Sequence, residues 1–391
     1  MSVLYEFLDV CYAQCKQAER IAVMSGSARM LFEYSALRLA KIGCAGKKDP
    51  EKWQGLSDKI LEDTKRIYPD HQLMGETVRL KWNFHPALAW LAARTGDKDL
   101  VAALDQAAGE ICNDFHRNED GLFDNPVYPG ALSTEILAMT VPILAWAGKC
   151  TGKSSYTDEA VFQMKGFMEK LCDKETLLWH PGYLPGPSDK TMWTWWQGSA
   201  LRSNAAMKEV GLFAGYWGRG TGYALFALSE LVFELDEDHK DKVFLLRKRE
   251  EMFERLLACQ DEQGMFHQVL NDSGSYEETG ATGWILYAFG RAIKRGTVDR
   301  ARFIPPYLKG LAGISRYLAW DGSILNGSAA QMCPGGRGGA VDYAMLAPLH
   351  NEPSVFAPVI LALQQAGQIR NHTDLIRDWT QIPESSEGGA E

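Results

Sequence analysis

Eight cysteines are scattered through 391 residues without one Cys-x-x-Cys pair. Neither a zinc site nor a disulfide framework is expected, and buried or idle thiols of a reducing compartment are the default reading. Positive charge is not in excess either: 41 Lys+Arg stand against 50 Asp+Glu, a formal net charge of -9. That balance leaves no basic face for nucleic acid or for an anionic membrane surface. Long hydrophobic runs are missing. The longest, Leu137 to Gly148, is too short for a bilayer and carries Pro142. Met1 to Asp9 has no basic segment, and Glu6 and Asp9 interrupt its apolar residues, so no secretory signal is read there and the cytoplasm is the expected location. Strand-like alternation is nearly absent.

What is present is apolar spacing of three and four from end to end. The spacing predicts helices over Val3–Ala22, Ala28–Ile42, Trp53–Ile67, Thr77–Arg94, Leu100–Phe115, Ser133–Gly148, Tyr156–Cys172, Tyr223–Leu235, Val243–Cys259, Glu278–Arg295, Ile304–Leu318 and Val355–Ala366. An internal echo accompanies it: Pro86-Ala-Leu-Ala-Trp90 with Thr95-Gly96 returns 56 residues later as Pro142-Ile-Leu-Ala-Trp146 with Thr151-Gly152. A repeat of that length is one helical hairpin with its loops, so hairpins are expected side by side, in an open solenoid or a closed ring. About twelve helices make six hairpins, which suits an all-α (α/α)6 barrel with a bowl at one end. No composition break marks a linker, so residues 1–382 are read as one domain and 383–391, rich in Ser, Gly and Glu, as a flexible tail.

Polar and aromatic residues concentrate between the helices. Trp179, Trp193, Trp195, Trp196 and Trp217 place five of twelve tryptophans within about forty residues. Indoles in a long loop stack on the apolar faces of sugar rings, or they plug the barrel end or form an oligomer contact. Trp217-Gly-Arg-Gly-Thr-Gly-Tyr223 lacks the preceding strand of a dinucleotide fingerprint. Its glycines are expected to let backbone approach a ligand and leave Arg219 open to grip a carboxylate; the bland alternative pairs Arg219 with an acid of an inner helix. His267 and Gln268 lie between apolar residues, so each is expected to face something specific, although a lone His in such a place is more often a hydrogen-bonded structural residue than a catalyst. Glu135 and Glu278 both open apolar helices, where an acid also suits the helix dipole. On the rim of so apolar a helix Glu135 loses solvation, which favours the protonated form a general acid needs, while the dipole opposes it.

These motifs together resemble the unsaturated glucuronyl and rhamnogalacturonyl hydrolases of glycoside hydrolase families 88 and 105. The resemblance rests on Gly121-Leu-Phe and Tyr128-Pro129 leading into Glu135-x-Leu-x-Met139, on Leu178-Trp-His180, on Trp217 to Tyr223, on Gly264-Met-Phe-His-Gln-Val-Leu270 and on Ser275-Tyr-x-Glu-Thr-x-Ala-Thr282. It implies an (α/α)6 barrel that removes a non-reducing-end 4,5-unsaturated uronic acid from lyase-generated oligosaccharides, by protonation and hydration of the C4=C5 bond. It implies no metal and no cofactor. Carried over by position, Glu135 falls where the family has its catalytic Asp. His180, Trp217, Arg219, His267 and Gln268 fall at or near positions that surround the uronate, and Tyr223 where an aromatic is usual; His85 and Glu278 are further expected substrate contacts, with Arg337 helping Arg219 to bind the C6 carboxylate. Two departures stand out: Glu replaces Asp at 135, and Leu80-Lys-Trp-Asn-Phe-His85 lacks the family's further Asp. Three other readings remain. An exo-β-glucuronidase acting on saturated glucuronides would need a second carboxylate, from Glu277, Glu278 or Asp342. A sugar epimerase or isomerase could use His85, His180 and His267 as proton shuttles. A non-catalytic sugar-binding protein would use Glu135 only as a cap.

Overall fold

The two halves of the sequence echo occupy matching places in the computed structural model. Each forms an inner helix, buries its Trp90 or Trp146, and ends at a glycine in the left-handed region. Gly96 N–H donates to Ala92 O and Gly152 N–H to Gly148 O. The structure describes residues 9–14, 26–45, 50–67, 85–124, 130–185, 193–194, 201–202, 211–213, 215–328 and 347–368.

Among the described residues, eleven helices follow a helical stretch over residues 9–14: α1 (Gly26–Ala45), α2 (Pro50–Ile67), α3 (Pro86–Thr95), α4 (Lys98–Asp114), α5 (Thr134–Thr151), α6 (Ser154–Leu171), α7 (Gly218–Glu234), α8 (Lys242–Leu257), α9 (Thr279–Lys294), α10 (Arg300–Ser315) and α11 (Phe356–Gln368). Helices α1, α3, α5, α7, α9 and α11 each pack on the next, and α11 returns to α1, closing the ring. The other five lie outside, on the inner helices they join. This is the expected (α/α)6 barrel.

Helix type follows from the pattern of burial. Residues 136–148 of α5 are buried on every side, as an apolar helix inside a barrel must be. Outer α4 buries only Leu100, Leu104, Ala107, Ala108 and Ile111, one face at helical spacing, and Asp97 caps it by accepting from the N–H groups of Asp99 and Leu100. Among the described residues, no helix is long and apolar enough to cross a membrane.

Short strands, missed by a reading that looked for alternation, occupy the connections: β1 (Leu132–Ser133), β2 (Gly182–Leu184), β3 (Trp193–Thr194), β4 (Leu201–Arg202), β5 (Gly211–Leu212), β6 (Gly327–Ser328) and β7 (Pro348–Leu349). Two or three residues are too few to show a period of two. Antiparallel β1–β2–β5 sets Leu132 opposite Tyr183 and Tyr183 opposite Leu212, tying the start of α5 to the segment before α7. Likewise β6 pairs with β7, Gly327 opposite Leu349.

One expected boundary is wrong in an informative way. Helix α7 begins at Gly218, not Tyr223, so the Gly-Arg-Gly-Thr-Gly run is helical. Gly218 and Gly222 serve helix contact. A Cβ on Gly218 would stand 2.6 Å from the Ala281 Cβ, and one on Gly222 2.5 Å from the Trp284 Cβ. Both neighbours belong to α9. Gly222→Ala is therefore expected to push α7 from α9 and cost about 1–3 kcal/mol by overpacking. Urea unfolding of the variant checks this; an unchanged midpoint would contradict the close packing.

Candidate active site

The inner helices α3, α5, α7 and α9 begin at one end of the barrel, and their first turns carry the residues singled out by sequence. Arg219 lies in the first turn of α7, buried, with its guanidinium carbon 4.7 Å from the Trp217 ring centroid. Its Nη1 donates to Ser328 O at 2.8 Å, to Glu352 Oε2 at 3.0 Å and to the Ser354 hydroxyl. The expectation of an open Arg219 is thus corrected. It pairs with an acid, but that acid precedes α11 on a 3-10 turn (Pro353–Val355) and is not on an inner helix.

Ser328 joins three of the elements. Its carbonyl accepts from Arg219, its hydroxyl from the Trp217 indole N–H at 3.2 Å, and its own N–H donates to Glu278 Oε1 at 3.0 Å. Glu278 is fully buried at the N-cap of α9, where it also accepts from Gly280 and Ala281 N–H. Burial raises its pKa, and Arg219 and the three backbone N–H groups pull the other way without cancelling the rise. Glu278 is therefore committed to holding α9 and β6 together.

Glu135 is half-buried in the first turn of α5. It lies within electrostatic reach of both Arg219 and Tyr223. Burial alone would lower the Arg219 pKa, but Glu352, Tyr223, Glu278 and Glu135 together outweigh it and hold the guanidinium charged. Burial, with help from Glu135, Glu352 and Glu278, drives the Tyr223 phenol well above its ordinary range despite Arg219. Tyr223 is a neutral O–H donor at physiological pH. Its ring meets Trp217 edge-on with centroids 6.3 Å apart.

The remaining candidates separate. His180 has Nδ1 2.8 Å from Phe213 O, so Nδ1–H donates and the ring orientation is fixed. Fully buried His85 stands just ahead of α3 and sets Nε2 2.7 Å from Glu33 Oε2 on α1, another buried group. His267 has both ring nitrogens engaged inside its own loop: Nδ1 by Ser275 O and Nε2 by Asp261 Oδ2 at 3.1 Å. Gln268 is fully buried, and its backbone accepts from Gly218 N–H and donates to Tyr276 O, which docks the loop under α7. His267→Phe is accordingly expected to lose about 1 kcal/mol of stability through its hydrogen bonds and to leave kcat/KM almost unchanged. A large fall in kcat/KM at normal stability would instead place His267 on the substrate.

Trp179 is a fully buried core residue. Arg337, Asp342, Trp195 and Trp196 lie outside the described residues, as does the tail 383–391, and of Trp193 only the backbone pairing in β3 is described. Glu277, offered as a second carboxylate, pairs with Arg316 at 2.8 Å and accepts from Tyr317. Sequence reasoning missed Glu33, Ser328, Glu352 and Ser354. Only Glu352-Pro353-Ser354, an acid, a proline and a serine ahead of an apolar helix, had a local signature. Among the described residues, no three His, Cys, Asp or Glu side chains are placed to hold a metal ion.

Known proteins resemble this chain in sequence and in fold. The sequence model of glycosyl hydrolase family 88 matches residues 81–364. An unsaturated 3S-rhamnoglycuronyl hydrolase of Formosa agariphila is 25% identical over 195 residues, 49% of this chain and 48% of that protein. An unsaturated rhamnogalacturonyl hydrolase of Bacillus subtilis is 21% identical over 248 residues, 62% of this chain and 64% of that protein. The chain thus spans about half the length of the first of these curated relatives and under two thirds of the second. A Klebsiella pneumoniae crystal structure described as a possible member of family GH105 superposes with a TM-score of 0.72 at 19% identity, covering 93% of each chain.

Proposed function

The chain belongs to glycosyl hydrolase family 88, and from that we propose that it releases a non-reducing-end 4,5-unsaturated uronic acid from lyase-generated oligosaccharides, with Glu135 as proton donor. The observation that supports this reading is how the carboxylates of the bowl are spent among the described residues. Glu278 caps α9 through two of its N–H groups and accepts a third from Ser328, Glu352 is held by Arg219 and Ser354, and Glu277 by Arg316 and Tyr317. A displacement at C1 needs two carboxyl groups flanking the bond. Hydration of an enol ether needs one acid.

In this reading the Glu135 carboxylic acid gives its proton to the C4=C5 bond, and the positive charge at C5 is shared with the ring oxygen. Water adds at C5 and returns a proton to the Glu135 carboxylate. The hemiketal opens by breaking C5–O5, and the hemiacetal left at C1 expels the aglycone alcohol, so one water is consumed overall. Tyr223, a neutral donor beside Glu135, supplies a hydrogen bond without adding negative charge. His180, oriented by Phe213 O, turns Nε2 away from that bond toward a sugar hydroxyl. Arg219 acts through Glu352 and through its field: its cation offsets the acids around it and keeps the bowl able to accept a uronate.

The test is to incubate the protein with unsaturated disaccharides from several lyases and follow the ultraviolet absorbance of the conjugated double bond. Loss of absorbance is expected. A flat signal together with cleavage of a saturated chromogenic β-glucuronide would overturn the reading. Glu352, partly exposed beside Arg219, would then be the second carboxylate to test.

A further inference from the structure

At the other end of the barrel a cation is buried without an ion-pair partner among the described residues. Arg249 projects inward from outer α8 and is fully buried. Its Nη2 donates to Thr297 Oγ1 at 2.5 Å, whereas Nε and Nη1 meet no acceptor. The flat faces of the guanidinium are covered, its Cζ lying 4.9 Å from the Phe233 ring centroid and 5.4 Å from that of Phe253. Phe233 is at the C-terminal end of α7, and the same ring carries Arg291 at 4.8 Å and Arg295 at 5.5 Å. Three guanidinium groups therefore gather on one side chain.

Of the acids nearby, Glu250 acts on Arg249 only through its field, and the others are paired elsewhere. Glu230 faces both Arg38 and Arg291, at 3.5 Å and 3.4 Å, and Glu234 pairs with Arg94. Among the described residues no carboxylate forms an ion pair with Arg249. Burial, followed by the neighbouring Arg291, pushes its pKa down to about 9. A desolvated guanidinium with idle N–H groups is strongly unfavourable, and buried charges in folded proteins are normally paired.

We propose that Arg249 holds one small anion of halide size, which accepts from its Nε and Nη1 between α7, α8 and α9. Halide size follows from the surroundings. An oxyanion would bring several oxygens, each needing a donor, into walls made largely of phenylalanine. A halide, a single sphere of charge, is satisfied by the Nε and Nη1 edge of the guanidinium alone. Arg291 and Arg295 add to the attraction from across Phe233. The site is remote from Glu135 and independent of the proposed reaction, so it serves stability and not chemistry.

Crystals of the full chain grown in sodium bromide test the site directly. An anomalous peak at hydrogen-bond distance from Arg249 Nε and Nη1 is expected, and its absence overturns the proposal. Unfolding in solution is then compared in sodium bromide and in sodium gluconate at equal ionic strength. Above the dissociation constant, each tenfold rise in bromide is expected to lower the unfolding equilibrium constant about tenfold, with no such response to gluconate. Arg249→Met, which keeps the stacking bulk, is expected to abolish that response and to leave turnover unchanged. A crystal peak without bromide-dependent unfolding of the parent protein means an adventitious ion only, and overturns the proposal even if the variant fails to fold.

Discussion

Glu135→Gln is expected to lower turnover of an unsaturated disaccharide by about 10²–10⁴-fold, the usual contribution of a positioned general acid, while the fold persists. The amide has the shape of the acid and can accept the same hydrogen bonds, but it has no proton to give to C4=C5. The fold should tolerate it because α5 depends on the apolar stripe buried from Ile136 to Gly148 and not on its first-turn acid. The change also removes one negative charge near Arg219 and Tyr223, where Glu352 and Glu278 still compensate the guanidinium. Two readouts separate chemistry from structure: the initial rate from loss of the double-bond absorbance, and the midpoint of thermal unfolding. Full activity in the variant would remove Glu135 from the mechanism. A variant that is both inactive and unfolded would make it a structural acid instead.

The barrel was legible because its signal is redundant. Each inner helix repeats the same demand for burial, and in the two echoed hairpins Trp90 and Trp146 sit at equivalent places above left-handed glycines. The bowl was legible only residue by residue. Glu135 and Glu278 were found because each opens an apolar helix, Arg219 from the glycine run expected ahead of one and Tyr223 through the family resemblance, and the ring brings the starts of those helices together. What they touch was not legible. Arg219 meets Ser328 and Glu352, more than a hundred residues away, and neither partner has a local signature that points back to it. The glycines around Arg219 misled for a related reason. Without the position of Trp284, a run of small residues looks the same whether it receives a ligand or another helix.

Arg219→Met should cost about 3–5 kcal/mol, the usual result of breaking a buried ion pair from one side, and the loss should depend on pH in a definite direction. Glu278 is pushed up by burial, with Arg219 the foremost influence opposing the rise. The folded chain therefore holds that proton more tightly than the unfolded chain does. Stability from this group is fully present below the ordinary carboxylate range and is lost as pH rises through the raised folded value. Removing the guanidinium raises that value further and leaves Glu352 beside Ser354 without its cation. The variant should thus approach the parent protein at about pH 5 and fall furthest below it at about pH 8, by urea unfolding. Glu352→Gln in the same background should recover part of the loss, because the amide still accepts from Ser354 N–H and carries no charge. A coupling of about 1 kcal/mol or more between the two substitutions is expected. Additive effects with no pH trend would mean that Arg219 is held by packing against Trp217 alone.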